Sequence, residues 1–233
     1  LEDRTGRLIY LCLEPEPGCA LERSSDILGF FQDHLLTRGE EHQVLRYLRV
    51  CHDVCHSAVM FEEQAEVLAG FAGAGIRVGK VQISSAVEAR FQQLAPEKRA
   101  LALDQLVGFA EHRYLHQTST RKADGTVVFY QDLADALDQV EDASTLEESW
   151  CTHFHVPIYL EQFGELHTSQ QQILECLDAV RKDPEMTHFE VETYAWSVLP
   201  ESLQVEQLSD GIAREMTWFR EQLEKAESSD VRD

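Results

Sequence analysis

Basic residues are scarce in this sequence. Lys and Arg total 20 against 42 Asp and Glu, for a net charge of −22 over 233 residues. A surface so acidic repels phosphate backbones and anionic headgroups, which argues against nucleic acid as a partner and against membrane surfaces. Long apolar runs are missing too: no stretch approaches the roughly 20 residues that cross a bilayer, so no direct membrane insertion is expected. No secretory leader is visible, since the start Leu1-Glu2-Asp3-Arg4 is charged. The first residue is Leu rather than Met and a strand follows closely, so an N-terminal part is expected to precede this chain. Cys-x-x-Cys spacing is absent; Cys12, Cys19, Cys51, Cys55, Cys151 and Cys176 are scattered. They read as reduced thiols of a cytoplasmic protein rather than a disulfide framework. No repeat of fixed period and no low-complexity tract is present.

What is present is 43% hydrophobic, enough for one large domain with a substantial core. Apolar runs of strand length occupy residues 8–14, 49–53, 77–84, 151–159 and 188–194. Helical spacing links Ile27, Leu28, Phe31, Leu35 and Leu36, and later Phe61, Ala65, Leu68 and Ala72. Further helices are expected over 42–48, 96–110, 132–140, 173–180 and 209–225, with a frayed polar tail. Ser169 and Gln172 have capping-box spacing. Strands alternating with helices indicate parallel pairing in an α/β fold. The stretch at about 87–149 breaks the pattern with a hairpin around Ala123-Asp124-Gly125, and reads as an insertion, a lid over the site.

Alternation along the strands points to that site. Leu13, Val81, Ile83, Phe189 and Val191 share apolar faces. Glu14, Asp53, Lys80, Gln82, Ser84, His153, His155, Glu190 and Glu192 lie on the opposite, polar ones. Charges gathered inside a barrel need a metal or substrate to compensate them.

Five segments together, Leu13-Glu14-Pro15-Glu16-Pro17-Gly18, Cys51-His52-Asp53-Val54-Cys55-His56, Gly79-Lys80-Val81-Gln82-Ile83-Ser84-Ser85-Ala86, His153-Phe154-His155-Val156-Pro157 and Glu190-Val191-Glu192-Thr193-Tyr194, carry a resemblance over nearly the whole chain. They resemble the EboE family of metabolite traffic proteins, within the xylose-isomerase-like TIM barrels of the sugar phosphate isomerase/epimerase superfamily. The resemblance implies a (β/α)8 TIM barrel of which residues 1–233 form the C-terminal portion, one domain with the first few strands missing. The superfamily pattern is Glu, Asp-x-x-His, His, Glu at successive strand ends. Glu14, the Asp53/His56 pair and Glu192 match it. The departure is Gln82, which stands where the histidine is expected; His155 arrives only after the insertion.

The resemblance thus implies a divalent metal ion (Mn, Mg or Zn) on Glu14, Asp53, His155 and Glu192, with Glu14 and Glu192 as the catalytic pair moving a proton between adjacent carbons. His56, Lys80, Gln82 and His153 are assigned to substrate. Arg113, His116 and Gln117 read as a solvated loop. The implied function is an isomerase or epimerase acting on a small polar secondary-metabolite precursor, with proteins of the same gene cluster as partners. A non-catalytic protein that holds such a metabolite is the second reading, favoured by Gln82. The endonuclease branch of the superfamily is disfavoured by the net charge.

Overall fold

The computed structural model describes residues 2–230 apart from 182, 184, 193 and 206. Chain order is α1 (Glu2–Thr5), β1 (Leu11–Leu13), α2 (Ser24–Phe30), α3 (Glu41–Tyr47), β2 (Leu48–Asp53), α4 (Val54–Val59), α5 (Gln64–Gly73) and β3 (Val78–Ile83). Then come β4 (Val87–Arg90), α6 (Pro96–Val107), β5 (Thr118–Arg121), β6 (Val127–Tyr130), α7 (Leu133–Leu137), β7 (Ser149–Thr152), β8 (Gln162–Phe163) and β9 (Leu166–Thr168). The chain continues through α8 (Gln170–Val180), β10 (Phe189–Val191) and α9 (Leu208–Asp230).

Two sheets result. The first has the order β1-β2-β3-β10 with every pair parallel. Its apolar face takes Val50 into one cluster with Ile27, Phe31, Val67 and Phe71. Val81 and Ile83 enter another, with Ile173, Leu177, Val180 and Phe219. Burying side chains of this size contributes about 1.5–3 kcal/mol each, and helices supply the cover on this face alone. The sheet stays open: among the described residues no closed barrel forms.

The second sheet is antiparallel, in the order β6-β5-β7-β4-β9-β8. It corrects the expected bounds of the insertion. Residues 151–159 do not form a parallel strand; Cys151 and Thr152 end β7, paired with β4 and β5, and 153–157 run as irregular backbone. The departure from the parallel sheet therefore spans about 84–169 rather than 87–149. Nor is it simply a lid. It has its own core of Val87, Ala89, Phe91, Leu106, Phe109, Trp150, Phe154 and Leu166. Alternation alone cannot tell a parallel strand from an antiparallel one, which is why 151–159 misread.

Smaller differences have local causes. The helix expected over Phe61, Ala65, Leu68 and Ala72 starts only at Gln64, because Phe61 adopts φ 54° between α4 and α5. Ser169 precedes α8 but does not cap it; its hydroxyl accepts from the Ala86 amide at 2.8 Å. The last strand stops at Val191, Thr193 lies outside the described residues, and α9 runs past Lys225 to Asp230.

Gly211 shows how closely α9 approaches the rest. A Cβ there would lie 2.6 Å from the Trp196 indole. Alanine in a helix interior normally adds about 0.5–1 kcal/mol over glycine. Here overpacking reverses the sign, and we expect Gly211→Ala to lose about 1–3 kcal/mol in urea unfolding followed by tryptophan fluorescence. A more stable variant would show that the indole is free to move aside.

Candidate metal centre

The polar ends of the parallel strands meet at Asp53. This residue closes β2 and is the N-cap of α4, so its carboxylate faces the free amides of a helix start. Oδ1 accepts from Cys55 N at 2.7 Å, from His56 N at 3.1 Å and from the Ser84 hydroxyl at 2.6 Å. Oδ2 accepts from Gln82 Nε2 at 3.1 Å and faces His56 Nε2 at 3.8 Å. The Asp-x-x-His spacing is thus a cap with a purpose: the first turn of the helix brings His56 back over the carboxylate that starts it.

Three imidazoles converge there. His56 Nδ1 lies 3.0 Å from the carbonyl oxygen of Pro15, and a carbonyl only accepts, so the proton sits on Nδ1 and Nε2 carries the lone pair. His153 Nδ1 lies 2.8 Å from Gln117 Oε1, which fixes the same tautomer. His155 Nδ1 lies 3.2 Å from Glu192 Oε2. The Nε2 atoms of His153 and His155 face each other at 3.2 Å, close enough for one to donate to the other, or for both to hold one cation when neither carries a proton there. A backbone carbonyl, an amide oxygen and a carboxylate behind three imidazoles is the outer-shell pattern that orients metal-binding histidines.

Charge follows the same logic. Burial, with His56 and His155 beside it, pushes His153 well below the usual imidazole range, and burial brings His155 down to about 4. Both are neutral near pH 7, as ligands must be. Burial opposes the charge of Asp53, but His56, His155 and the Ser84 hydroxyl outweigh it and hold the carboxyl well below its ordinary range. Burial lowers His56, while Asp53 and Glu14 raise it more, and the net direction is up. Glu192 is pushed up to about 7 by burial and by Asp53 and Glu14. Glu14 also rises through burial, with His56 pulling the other way.

Among the described residues, the ligand atoms of Asp53, His56 and His155 lie within 4.8 Å of one another, as do those of Glu16, His56 and His153, and of Cys55, His153 and His155. The Cys55 thiol is held well above its usual value by burial, so the oxygen–nitrogen sets are the better seat. The residues expected as ligands divide. Asp53 and His155 stand at the centre. Glu14 and Glu192 lie beside it, against the Nδ1 edges of His56 (3.6 Å) and His155 (3.2 Å), and neither is in those close groups. His56 and His153, expected on substrate, belong to the groups. Lys80 does not point at a free site: Nζ donates to Gln82 Oε1 at 2.7 Å and pairs with Glu190.

Three buried residues stand where the sequence reading favoured a solvated loop or assigned no role. His116 and Gln117 are buried rather than solvated, and His116 Nδ1 lies 3.2 Å from the His153 carbonyl. No local signal marks them, because their burial comes from β5 pairing with β7. Glu215 is 2% exposed on α9, and a signal existed. Gly211, Glu215 and Phe219 recur at four-residue spacing on the inward stripe, where a carboxylate is out of place.

Gln82 holds apart the two carboxylates nearest the centre. Its amide donates to Glu14 Oε1 at 2.8 Å as well as to Asp53. In Gln82→Leu both anions lose a donor, a cost of about 1–3 kcal/mol that exists only while they are ionised. The loss in urea midpoint should therefore be larger at pH 8 than at pH 4.5, and an equal loss at both would refute this role. No protein-family model, no curated protein and no solved structure matches this chain, so its chemistry is argued from the geometry of this centre.

Proposed function

We propose that the chain binds a divalent transition-metal ion through Asp53, His56, His153 and His155, and that the site carries out isomerase- or epimerase-type proton transfer on a small polar metabolite. The observation that carries the reading is the convergence of His56 and His155 on the buried Asp53 carboxylate, with His153 Nε2 3.2 Å from His155 Nε2. Imidazole-rich donor sets suit Zn²⁺ or Mn²⁺ better than Mg²⁺, which takes oxygen ligands. Such an ion, when bound, supplies a Lewis acid for a carbonyl or hydroxyl oxygen.

The chain's own residues do the rest. Glu192 is raised to about 7, so near neutral pH it both accepts and returns a proton. Glu14 stands on the other side of the centre, 34% exposed at its side chain, where an incoming molecule reaches it. Gln82, held by Lys80, orients Glu14. His153 and His155 bring the antiparallel sheet into the site and cover one side of it, which limits water. The parallel strands β1, β2 and β10, at whose C-terminal ends Glu14, Asp53 and Glu192 stand, support reading the chain as part of a xylose-isomerase-like barrel of the EboE kind. A non-catalytic binding role is the second reading. It is favoured by the Gln82 amide, which already neutralises part of the carboxylate charge that an ion would meet.

Elemental analysis decides first. Wild-type protein reconstituted with zinc or manganese should carry about one ion per chain, and Asp53→Ala and His155→Ala should lose it. At a hundredfold excess over Kd the ion adds about 2.7 kcal/mol to wild-type stability. Protein that stays metal-free after reconstitution would overturn the metalloenzyme reading.

A further inference from the structure

Glu215 belongs to no part of the chemistry above, yet it is a carboxylate only 2% exposed on a helix that otherwise turns apolar residues inward. Burying it costs free energy that a leucine at the same position would not. What it touches explains its presence. Oε1 accepts from the backbone amide of Ile158 at 3.2 Å, and Oε2 accepts from the Trp196 indole at 3.0 Å. Ile158 lies three residues beyond His155, in the irregular segment that ends the antiparallel sheet. Trp196 lies four residues beyond Glu192, in the turn that follows the parallel sheet. One side chain thus fastens the two segments whose site residues meet at 3.2 Å.

We propose that Glu215 is a positioning residue: it clamps the His155 segment to the Glu192 segment and so keeps Glu192 against His155 Nδ1. The argument is mechanical. β7 ends at Thr152, and beyond it the His155 segment is held by isolated backbone bonds, His153 N to Gln117 O at 2.8 Å and Val156 N to Ser85 O at 3.0 Å. Glu192 follows β10, with its amide donating to Ile83 O at 3.2 Å. Irregular backbone needs side-chain partners to hold a side chain within the few tenths of an ångström that orientation requires. The indole is in turn wedged against α9, where a Cβ at Gly211 would collide with it, so the clamp cannot drift along the helix. Losing Glu215 frees Glu192 to leave the ring, and a neutral imidazole without that anion returns to its preferred Nε2–H form. That form blocks the nitrogen that faces His153.

The inference rests on the metal-centre reading for its purpose, but not for its test. Long-range ¹H–¹⁵N NMR of the histidine rings, on the metal-free full chain at pH 7, reads the tautomer directly. Wild type should show His155 as Nδ1–H. Glu215→Ala should show a mixture or Nε2–H, and zinc affinity by chelator competition should fall about tenfold, the scale of losing an outer-shell partner. Glu215→Gln, which keeps one accepting oxygen, should restore most of both. Trp196→Phe, which removes only the indole donor, should fall between. Leu106→Ala, a cavity in the core of the antiparallel sheet, should lower Tm and leave the His155 ring signals in place. If Glu215→Ala fails to fold, Glu215→Gln and Trp196→Phe decide. An unchanged His155 tautomer in every folded variant would overturn the proposal, whatever happens to Tm. Should wild type bind no zinc, the metal reading fails by itself while the ring signals still judge Glu215.

Discussion

A carboxylate without contact with water must have its charge met by fixed donors, and Asp53 meets that demand from three directions. The helix start supplies two amides, β3 supplies the Ser84 hydroxyl and the Gln82 amide, and the histidines supply compensating edges. The donors come in pairs from two distant parts of the chain, the start of α4 and the end of β3. Satisfying one buried anion therefore fixes the register between β2 and β3, the angle at which α4 leaves the sheet, and the orientation of His56. The penalty for an unmet buried charge is several kcal/mol, larger than any single packing contact here, which makes it the constraint to which the neighbours conform.

The two sheets divide the work. The parallel sheet is rigid, backed by helices on its apolar face, and presents carboxylates at its C-terminal ends. The antiparallel sheet supplies nitrogen: His153 and His155 follow β7, and Gln117, which fixes the His153 ring, precedes β5. A centre built from both sheets is complete only when they are docked. The junction of β2 and α4 brings the Asp53 oxygen and the His56 nitrogen, and the antiparallel sheet adds the two further imidazoles.

Acidic charge takes on a second meaning in this light. At the surface, −22 is a general repulsion of other anions. Around the centre the same residue type is used sparingly and with different protonation. Asp53 stays ionised at the floor, while Glu192 and Glu14 are raised at the rim by burial and by the Asp53 charge. Environments that push neighbouring carboxyls apart in this way separate a group that holds charge from groups that exchange protons.

The sequence by itself determined the local facts. Period-two alternation marked the inward polar residues of β2 and β3, helical spacing marked the helices that cover the other face, and the Asp53–His56 spacing marked a strand end turning into a helix. These are set by neighbours within a few positions, which is why they were legible. The tertiary structure decided the rest. Alternation is the same in parallel and antiparallel strands, so only pairing could move 151–152 from the first sheet into the interior of the second, with 153–157 running on from it as irregular backbone. Which nitrogen of each histidine faces inward depends on Pro15, Gln117 and Glu192, each distant in sequence from its ring. That Glu14 and Glu192 stand beside the imidazoles rather than among the closest ligand atoms likewise follows from where the strands end in space. Hydrogen-bond partners across long loops leave no periodic trace in a sequence, and those partners are what turn a set of polar side chains into a centre.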